Sequence, residues 1–316
     1  MKVIVTGGCG YIGSMLVPHL LAQGHEAKVI STQYFGSGHL PNNPNLVYVN
    51  MDVRDIAGLE REMAGYDACI HLASLVNNEM CVRAPDLSEE INVDAAVNVA
   101  VQAQNYGMRF IYASSVAVYG TADRPMTESD ELKPTTLYGE QKVKVENWLR
   151  EHFPKAIITR AATLSGYSTN MMFHTTVHRM VNEGYRLRKI TVNGGSQIRA
   201  HVHLRDLIDA YLSLLSLPGE KVEGNAFNIV AQNMSVLESA KTVQAIMEYK
   251  PVLFIGPATD DRSYIVDGSK ALRMLGLAPK LRINDAVWEL KTRFEGNYWP
   301  DSIRDERYLR LTSNYP

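Results

Sequence analysis

Tyr138 and Lys142 are the most informative pair of residues for chemistry, because they stand four positions apart in a segment with helical periodicity. Residues at i and i+4 share one face of a helix, so the lysine ammonium can lie near the phenol and lower its pKa toward neutrality. The resulting phenolate can act as a base. Ser115 follows the predicted strand Phe110–Ala113 and can hydrogen-bond the same substrate oxygen. The three residues predict proton transfer at a hydroxyl group.

A glycine-rich turn near the start of the chain predicts the ligand that acts beside them. The strand-like segment Lys2–Val5 runs directly into the sequence T-G-G-C-G-Y-I-G, which is followed by apolar residues at helical spacing. Such glycines permit a tight turn, a close approach of backbone N–H groups to a pyrophosphate and close packing of the next helix. The helix dipole would favour the phosphates. We expect a dinucleotide bound by Gly7, Gly10, Tyr11, Ile12 and Gly13.

Short apolar strands alternate with helical segments through the first half of the chain. The predicted strands are Ala27–Ile30, Leu46–Val49, Ala68–Leu72, Phe110–Ala113 and Ile157–Thr159, and the predicted helices are Ile56–Met63, Ile91–Gln104 and Thr136–His152. This alternation predicts an α/β fold with a doubly wound parallel sheet. We expect residues 1–162 to form a dinucleotide-binding Rossmann domain to which 196–225 return. Residues 163–195 and 226–316 are then a smaller substrate-binding domain.

Composition and charge exclude several classes of function. The chain has 316 residues, 46% of them hydrophobic, and a formal net charge of -2, so it has no global attraction for nucleic acid or for an anionic membrane. It has no apolar run of membrane-spanning length and no leader-like start, and we expect it in the cytoplasm. The cysteines and the pair His201 and His203 lack the spacing of metal ligands, so no metal is expected.

The ordered set of motifs resembles the extended short-chain dehydrogenase/reductase family, in particular its nucleotide-sugar branch typified by UDP-galactose 4-epimerase. The resemblance spans nearly the whole chain. After the glycine loop, the matching segments are Asp52-Val53, His71-Leu72-Ala73-Ser74, Asn92, Ser114-Ser115, Val118-Tyr119-Gly120, Tyr138 with Lys142, Arg199, His203-Leu204-Arg205-Asp206, Phe227-Asn228 and Asp261-Arg262-Ser263-Tyr264.

The resemblance implies roles for individual residues. Ser115, Tyr138 and Lys142 are the implied catalytic set. The implied cofactor site adds Asp52 and Val53 at the adenine, the turn Leu72, Ala73 and Ser74, Lys142, and Asn92 as a residue that steadies the interior near Lys142. The helices at Ile91–Gln104 and Thr136–His152 resemble the pair that forms the family's homodimer.

The implied substrate is a nucleotide-diphosphate sugar. Arg199 and Arg262 are expected to bind its diphosphate, since guanidinium groups suit bidentate recognition of phosphate. Thr163 and Asn170 are expected to add polar contacts, although the epimerases commonly carry asparagine at the position of Thr163. Asn77 is expected on the sugar side.

Two departures from the family pattern restrict the choice of reaction and the choice of cofactor. Val116 and Ala117 follow Ser115 where dehydratases place acids and UDP-glucuronate decarboxylases a glutamate. This disfavours both reactions and leaves redox chemistry at the sugar C4. Ser31 stands where an acid usually binds the adenosine ribose, and no arginine precedes Arg54 to attract a 2′-phosphate. NAD is favoured slightly, and NADP is not excluded.

We therefore expect an NAD(P)-dependent nucleotide-sugar epimerase that oxidises the C4 hydroxyl, with Tyr138 as base, and returns hydride to the opposite face. One alternative is a C4 dehydrogenase or 4-ketoreductase that does not epimerise. A 4,6-dehydratase is a weaker alternative. A non-catalytic dinucleotide-binding protein is the remote one, since Ser115, Tyr138 and Lys142 are all present.

Overall fold

The computed structural model describes residues 1–34, 36, 39–258 and 262–309. Its main element is a seven-stranded parallel sheet. In chain order its strands are β1 (Lys2–Thr6), β2 (Glu26–Ser31), β3 (Leu46–Asn50), β4 (Ala68–His71), β5 (Arg109–Ser115), β7 (Ile157–Ala161) and β11 (Ala226–Ile229). Across the sheet the order is β11-β7-β5-β4-β1-β2-β3. Strands are therefore added to one side from β1 to β3 and to the other side from β4 onward, so the strand order reverses between β1 and β4, and a ligand crevice is expected at their carboxyl ends.

Side chains of the central strands point alternately to the two faces of this sheet. In β1, Val3 and Val5 pack in one apolar cluster and Ile4 packs in the other. All three are fully buried. Both faces are therefore covered, which is why the strands are nearly continuous hydrophobic runs rather than alternating ones.

The covering helices of the first half connect the strands. They are α1 (Gly13–Ala22), α2 (Ile56–Met63), α3 (Asn78–Arg83), α4 (Pro85–Glu89), α5 (Ala95–Asn105) and α6 (Leu137–His152), with a π-helical turn at Glu90–Asp94 and a 3-10 turn at Val116–Tyr119. Thr136 caps α6, because its hydroxyl accepts a hydrogen bond from the Gly139 amide at 3.2 Å. This cap lies two residues before Tyr138 and so fixes where the tyrosine side chain leaves the helix.

Three small sheets and seven helices follow or flank the large sheet in the described part of the chain. Strands β8 (Thr163–Ser165), β10 (Ile198–His203) and β12 (Gln232–Ser235) form one sheet, β9 (Lys189–Asn193) pairs with β13 (Val252–Gly256), and β6 (Pro125–Met126) pairs with β14 (Ile265–Val266). The helices are α7 (Thr176–Leu187), α8 (Leu204–Ser216), α9 (Gly219–Val222), α10 (Val236–Ile246), α11 (Ser269–Leu275), α12 (Ile283–Glu295) and α13 (Glu306–Leu309).

The predicted doubly wound α/β fold is confirmed, and two segments differ from the predicted domain bounds. Ala226–Ile229 was expected in the substrate-binding domain, but it pairs with β7 at the edge of the large sheet. Ile198–His203 was expected to return to the dinucleotide-binding domain, but it pairs with β8 and β12. The helix that follows this strand, α8, does pack against α1 of the dinucleotide-binding domain. Strands of four to six residues carry no local signal for which sheet they join, and the rest of the domain division stays a prediction.

Candidate active site

A cavity of about 530 Å³ lies outside the carboxyl ends of the parallel strands. Residues that end or follow β1, β2, β3, β4, β5 and β7 all contribute to its wall. The predicted site residues that line it are Gly7, Gly10, Tyr11, Ile12, Gly13, Ser31, Asp52, Val53, Leu72, Ala73, Ser74, Asn77, Ser115, Tyr138, Lys142, Thr163, Arg199 and Arg262. The structure thus brings together nearly all of the predicted site. Asn92 and Asn170 are not among the residues that line the cavity.

The glycine loop has the backbone geometry that a bound dinucleotide requires. Gly7 has a φ of +67°, and a Cβ there would lie 2.7 Å from the Ala73 amide nitrogen. A Cβ at Gly13 would lie less than 3.0 Å from backbone atoms of Gly8. The first glycine therefore permits the turn beside β4, and the last permits α1 to start against the loop. The residues present fit a pyrophosphate placed at the start of α1.

Asp52 is the one carboxylate among the described residues that line the cavity. It forms an ion pair of 2.8 Å with Arg54 and accepts a hydrogen bond of 2.8 Å from the Arg54 amide. Burial raises the pKa of Asp52, but the hydrogen bonds from Arg54 outweigh burial and the pKa is lowered. Asp52 is therefore ionised at neutral pH. Ser31, at the end of β2, lies in the same part of the wall.

Ser115 and Tyr138 both line the cavity, and hydrogen bonding from Ser115 lowers the pKa of the Tyr138 phenol in part. Ser115 is the last residue of β5, and its hydroxyl also accepts a hydrogen bond of 3.2 Å from the Ala117 amide. A strand end and a capped helix therefore place both hydroxyl-bearing side chains in the wall of one cavity. One substrate oxygen can approach both of them.

The predicted acidification of Tyr138 by Lys142 is wrong for this structure. Burial raises the pKa of Tyr138, and the hydrogen bond from Ser115 lowers it only in part. The Lys142 ammonium donates to the Ala113 carbonyl at 2.9 Å and lies 4.9 Å from the centre of the Tyr112 ring, compared with 5.5 Å from that of Tyr138. Burial also lowers the pKa of Lys142 to about 8. The ammonium is therefore directed at the strand, and its charge is itself disfavoured.

Asn92 holds the turn that follows β4. It is 1% exposed, and its side-chain oxygen accepts hydrogen bonds from the Ser74 hydroxyl at 2.8 Å and the Leu75 amide at 2.7 Å. Its amide donates to the Leu75 carbonyl at 3.1 Å and to Gln141 on α6 at 2.8 Å. Asn92 thus connects the turn at Ser74 with the helix that carries Tyr138 and Lys142.

The other end of the cavity is rich in cations. Arg199 on β10 donates to the Arg262 carbonyl and lies 5.8 Å from the centre of the Tyr264 ring. The neighbouring residue Asp261 lies outside the described residues. Sequence reasoning missed Arg179, which lines the same cavity from α7. Its ion pair of 2.7 Å with Glu183, four residues later, has the sequence pattern of an ordinary surface pair on a helix.

The side chains of Asn77 and Asn170 form hydrogen bonds with backbone groups. Asn77 caps α3, because its side-chain oxygen accepts a hydrogen bond of 2.7 Å from the Met80 amide. Asn170 is 8% exposed and donates to the Cys9 carbonyl in the glycine loop at 2.5 Å. Asn77 still lines the cavity, whereas Asn170 does not.

No group of three or more histidine, cysteine, aspartate or glutamate side chains among the described residues is arranged to hold a metal ion. No helix among them is both long enough and apolar enough to span a bilayer.

Comparison with known proteins gives matches along most of the chain. The profile of the NAD dependent epimerase/dehydratase family matches residues 3–230. UDP-glucose 4-epimerase 2 of Oryza sativa subsp. japonica is 30% identical over 297 residues, which cover 81% of this chain and 72% of that protein. CDP-paratose 2-epimerase of Salmonella typhi is 25% identical over 332 residues, which cover 92% of this chain and 98% of that protein.

A solved structure has the same fold. UDP-glucose 4-epimerase from Thermotoga maritima, determined with UDP-glucose, superposes with a TM-score of 0.85 at 24% identity and covers 95% of this chain and 100% of that one. Relatives at 27% identity are named UDP-glucuronic acid decarboxylase 4 and dTDP-glucose 4,6-dehydratase. Overall similarity therefore does not distinguish among these reactions.

Proposed function

We propose that this chain, which belongs to the NAD-dependent epimerase/dehydratase family, is a nucleotide-sugar 4-epimerase. The observation that carries the proposal is that Ser115, Tyr138 and Lys142 line the same cavity as the glycine loop. A dinucleotide on that loop and a sugar hydroxyl at the two side chains would share one enclosed space. Relatives named as 4-epimerases support this assignment.

Tyr138 is the proposed base. Bound NAD supplies a hydride acceptor and, in its oxidised form, a cationic ring that favours the phenolate over the phenol. Tyr138 would take the proton of the C4 hydroxyl as the hydride on the C4 carbon passes to the oxidised cofactor, and Ser115 would donate a hydrogen bond to the same oxygen. Lys142 holds its position through the Ala113 carbonyl. After rotation of the 4-keto sugar, return of the hydride from the reduced cofactor to the opposite face of C4 would invert this carbon, and Tyr138 would give back the proton.

The scarcity of acidic side chains among the described residues of the cavity wall supports epimerisation over elimination. A dehydratase has to remove a proton from one sugar carbon and deliver another to the leaving hydroxyl, which calls for acidic groups beside the sugar. Val116 and Ala117 line the wall next to Ser115, and the one carboxylate among the described lining residues is Asp52. Asp52 follows β3 and is already paired with Arg54. A dehydrogenase or ketoreductase differs from an epimerase only in whether the hydride returns.

NAD is the proposed cofactor in preference to NADP. The lining cations Lys142, Arg179, Arg199 and Arg262 come from α6, α7, β10 and the segment before β14, whereas Ser31 ends β2 near Asp52. A 2′-phosphate at the end of β2 would therefore come near the Asp52 carboxylate, and the nearby cation Arg54 is already paired with Asp52 and Glu90. Titration of the purified protein with both dinucleotides tests this, and tighter binding of NADP would contradict it.

We infer that the protein is a homodimer through α5 and α6. This inference rests on the family resemblance of these two helices. Light scattering coupled to size exclusion measures the mass directly. A mass near twice 35.3 kDa supports the dimer, and a mass near 35.3 kDa contradicts it.

Conversion of a panel of nucleotide sugars tests the reaction itself. The purified protein is mixed with NAD and, one at a time, UDP-glucose, UDP-galactose, UDP-glucuronate, dTDP-glucose and CDP-linked sugars. Proton NMR follows the product, and absorbance follows reduced nicotinamide. We expect inversion at C4 without net reduction of NAD. Accumulation of a 4-keto sugar with reduced NAD would favour the dehydrogenase, and loss of water or carbon dioxide would favour the other family reactions.

A further inference from the structure

A short segment after β8, residues 166–170, is fastened to the back of the glycine loop by side-chain hydrogen bonds. Asn170 donates to the Cys9 carbonyl at 2.5 Å, and Ser168 donates to the Tyr11 carbonyl at 2.7 Å. In the other direction, the Tyr11 hydroxyl donates to the Gly166 carbonyl at 2.7 Å. We call residues 166–170 the latch segment. Its contacts connect parts of the chain that lie more than 150 residues apart in sequence.

The groups that make these contacts are shielded from water. Ser168 is fully buried, Tyr11 is 5% exposed and Asn170 is 8% exposed. The Ser14 hydroxyl, also fully buried, is 2.8 Å from that of Ser168 at the start of α1. Buried hydrogen bonds of this kind fix a loop in one conformation, because an alternative conformation would leave polar groups unsatisfied.

We propose that Asn170 and Ser168 are positioning residues that preorganise the glycine loop for the dinucleotide. They hold the carbonyls of Cys9 and Tyr11 toward the latch segment. A backbone whose carbonyls are bound on one side leaves its amides available to the other side, where a pyrophosphate needs donors. Preorganisation raises affinity because the loop does not have to be ordered on binding. This inference rests on the proposed function, since the ligand of the loop is NAD.

The latch segment is continuous in sequence with the cavity wall on the substrate side. Met172 and His174 follow it directly and line the cavity, and α7 begins at Thr176 with Arg179 in the same wall. A displacement of this wall is therefore transmitted to the Cys9 and Tyr11 carbonyls. The latch gives the two halves of the cavity a direct mechanical connection, and binding of NAD and of the sugar nucleotide is expected to be coupled through it.

The experiment compares dissociation constants for NAD in folded variants. Asn170→Asp keeps the size of the side chain but replaces the donor with a carboxylate that repels the Cys9 carbonyl, and Ser168→Ala removes the bond to the Tyr11 carbonyl. Asn182→Ala is the matched control, because Asn182 is also a buried amide, 2% exposed, that donates to a backbone carbonyl, that of Ser302, at 3.0 Å. Calorimetric titration measures the dissociation constant for NAD, and thermal melting measures the stability of each variant separately.

Asn170→Asp is expected to weaken NAD binding on the order of tenfold, and Ser168→Ala by a smaller factor. Asn182→Ala is expected to lower the melting temperature but to bind NAD as the wild type does. Unchanged NAD affinity in folded Asn170→Asp and Ser168→Ala would overturn the positioning role while leaving the proposed function intact. Failure of the wild-type protein to bind NAD would overturn the proposed function and this inference with it.

The effect of a substrate fragment on NAD affinity gives a second measurement, which a purely structural role of Asn170 would not change. In the wild type, NAD affinity is expected to rise when UDP, a fragment of the proposed substrate, is present. In Asn170→Asp this increase is expected to shrink. An equal increase in the wild type and in the variant would contradict the coupling through the latch segment.

Discussion

The Arg160 guanidinium and the Glu146 carboxylate form an ion pair of 2.7 Å in which neither side chain is exposed. Arg160 lies on β7 and Glu146 on α6, one turn after Lys142. The Ser114 hydroxyl donates to the same carboxylate at 2.6 Å, and Arg160 donates to the Tyr119 hydroxyl at 2.7 Å. The pair connects the helix that carries Tyr138 with β7, and the Ser114 hydrogen bond connects the same carboxylate with β5, the strand that ends at Ser115.

Removing one member of this pair is expected to be costly. Arg160→Met leaves the Glu146 carboxylate buried without its main partner, and we expect a loss of about 3–5 kcal/mol in the free energy of unfolding. The surface pair of Arg83 and Glu79, whose side chains are 57% and 54% exposed, provides the control. Arg83→Met is expected to change stability by less than about 1 kcal/mol. Urea denaturation measures both. Equal losses in the two variants would contradict the structural role of the buried pair.

Tyr138→Phe is expected to remove the base while leaving the cavity intact. The variant loses only the phenolic oxygen that Ser115 contacts. We expect turnover on a confirmed substrate to fall by about 10²–10⁴, the usual contribution of a general base, with NAD affinity near that of the wild type. Tyr106→Phe is the control, because Tyr106 is 39% exposed and its hydroxyl donates to the Glu60 carbonyl outside the cavity. Unchanged turnover in Tyr138→Phe would remove the tyrosine from the mechanism.

The fold was predictable because it depends on local patterns. The predicted helix at Ile56–Met63 has the observed bounds, and α6 starts one residue after its predicted first residue, Thr136, which is the N-cap. Capping side chains and hydrophobic periodicity act within a few residues of the backbone that they order. The glycine loop was predictable for the same reason.

The pKa of Tyr138, the contact made by Asn170 and the sheet to which Ala226–Ile229 belongs could not be predicted from such local patterns. The pKa of Tyr138 is raised because the phenol is buried, and burial follows from packing among distant elements. Asn170 was expected to contact the substrate, but its side chain contacts the Cys9 carbonyl, which lies 161 positions earlier. The membership of Ala226–Ile229 in the large sheet likewise depends on pairing with β7. None of these relationships leaves a periodic signal in the sequence.

The buried charge of Lys142 is expected to make stability depend on pH. Burial lowers the pKa of Lys142 from 10.5 to about 8 in the folded chain. Between these values the unfolded chain binds a proton that the folded chain does not, so the stability of the folded state rises with pH across this window. Below about pH 8 the buried Lys142 is charged in the folded chain, and this burial of charge lowers the free energy of unfolding on the order of 3 kcal/mol.

Lys142→Met is therefore expected to be more stable than the wild type at pH 7 and to lose this advantage by about pH 10.5. The lost bond to the Ala113 carbonyl reduces the gain at every pH. Lys144→Met serves as the control, because Lys144 is 55% exposed and pairs with Glu89 at the surface. Urea denaturation at several pH values measures the difference from the wild type. A difference that does not vary with pH in Lys142→Met would contradict the lowered pKa.

Two glycines of the loop are expected to respond differently to the same substitution. A Cβ at Gly13 would lie less than 3.0 Å from Gly8 backbone atoms, whereas a Cβ at Gly10 would have the Gly7 carbonyl oxygen, at 3.1 Å, as its only close neighbour in the described structure. Gly13→Ala must displace α1 from the loop, and we expect it to lower stability by more than about 2 kcal/mol. Gly10→Ala is expected to fold with nearly wild-type stability.

The binding of NAD separates the two glycines further. Gly10 lines the cavity at the start of α1, where the backbone has to approach a pyrophosphate closely. A methyl group there is expected to weaken NAD binding on the order of tenfold or more, because it occupies space next to the phosphates. Thermal melting and calorimetric titration on the same samples measure stability and affinity independently. Full NAD affinity in folded Gly10→Ala would place the pyrophosphate elsewhere, since a phosphate on this loop cannot tolerate a side chain at that position.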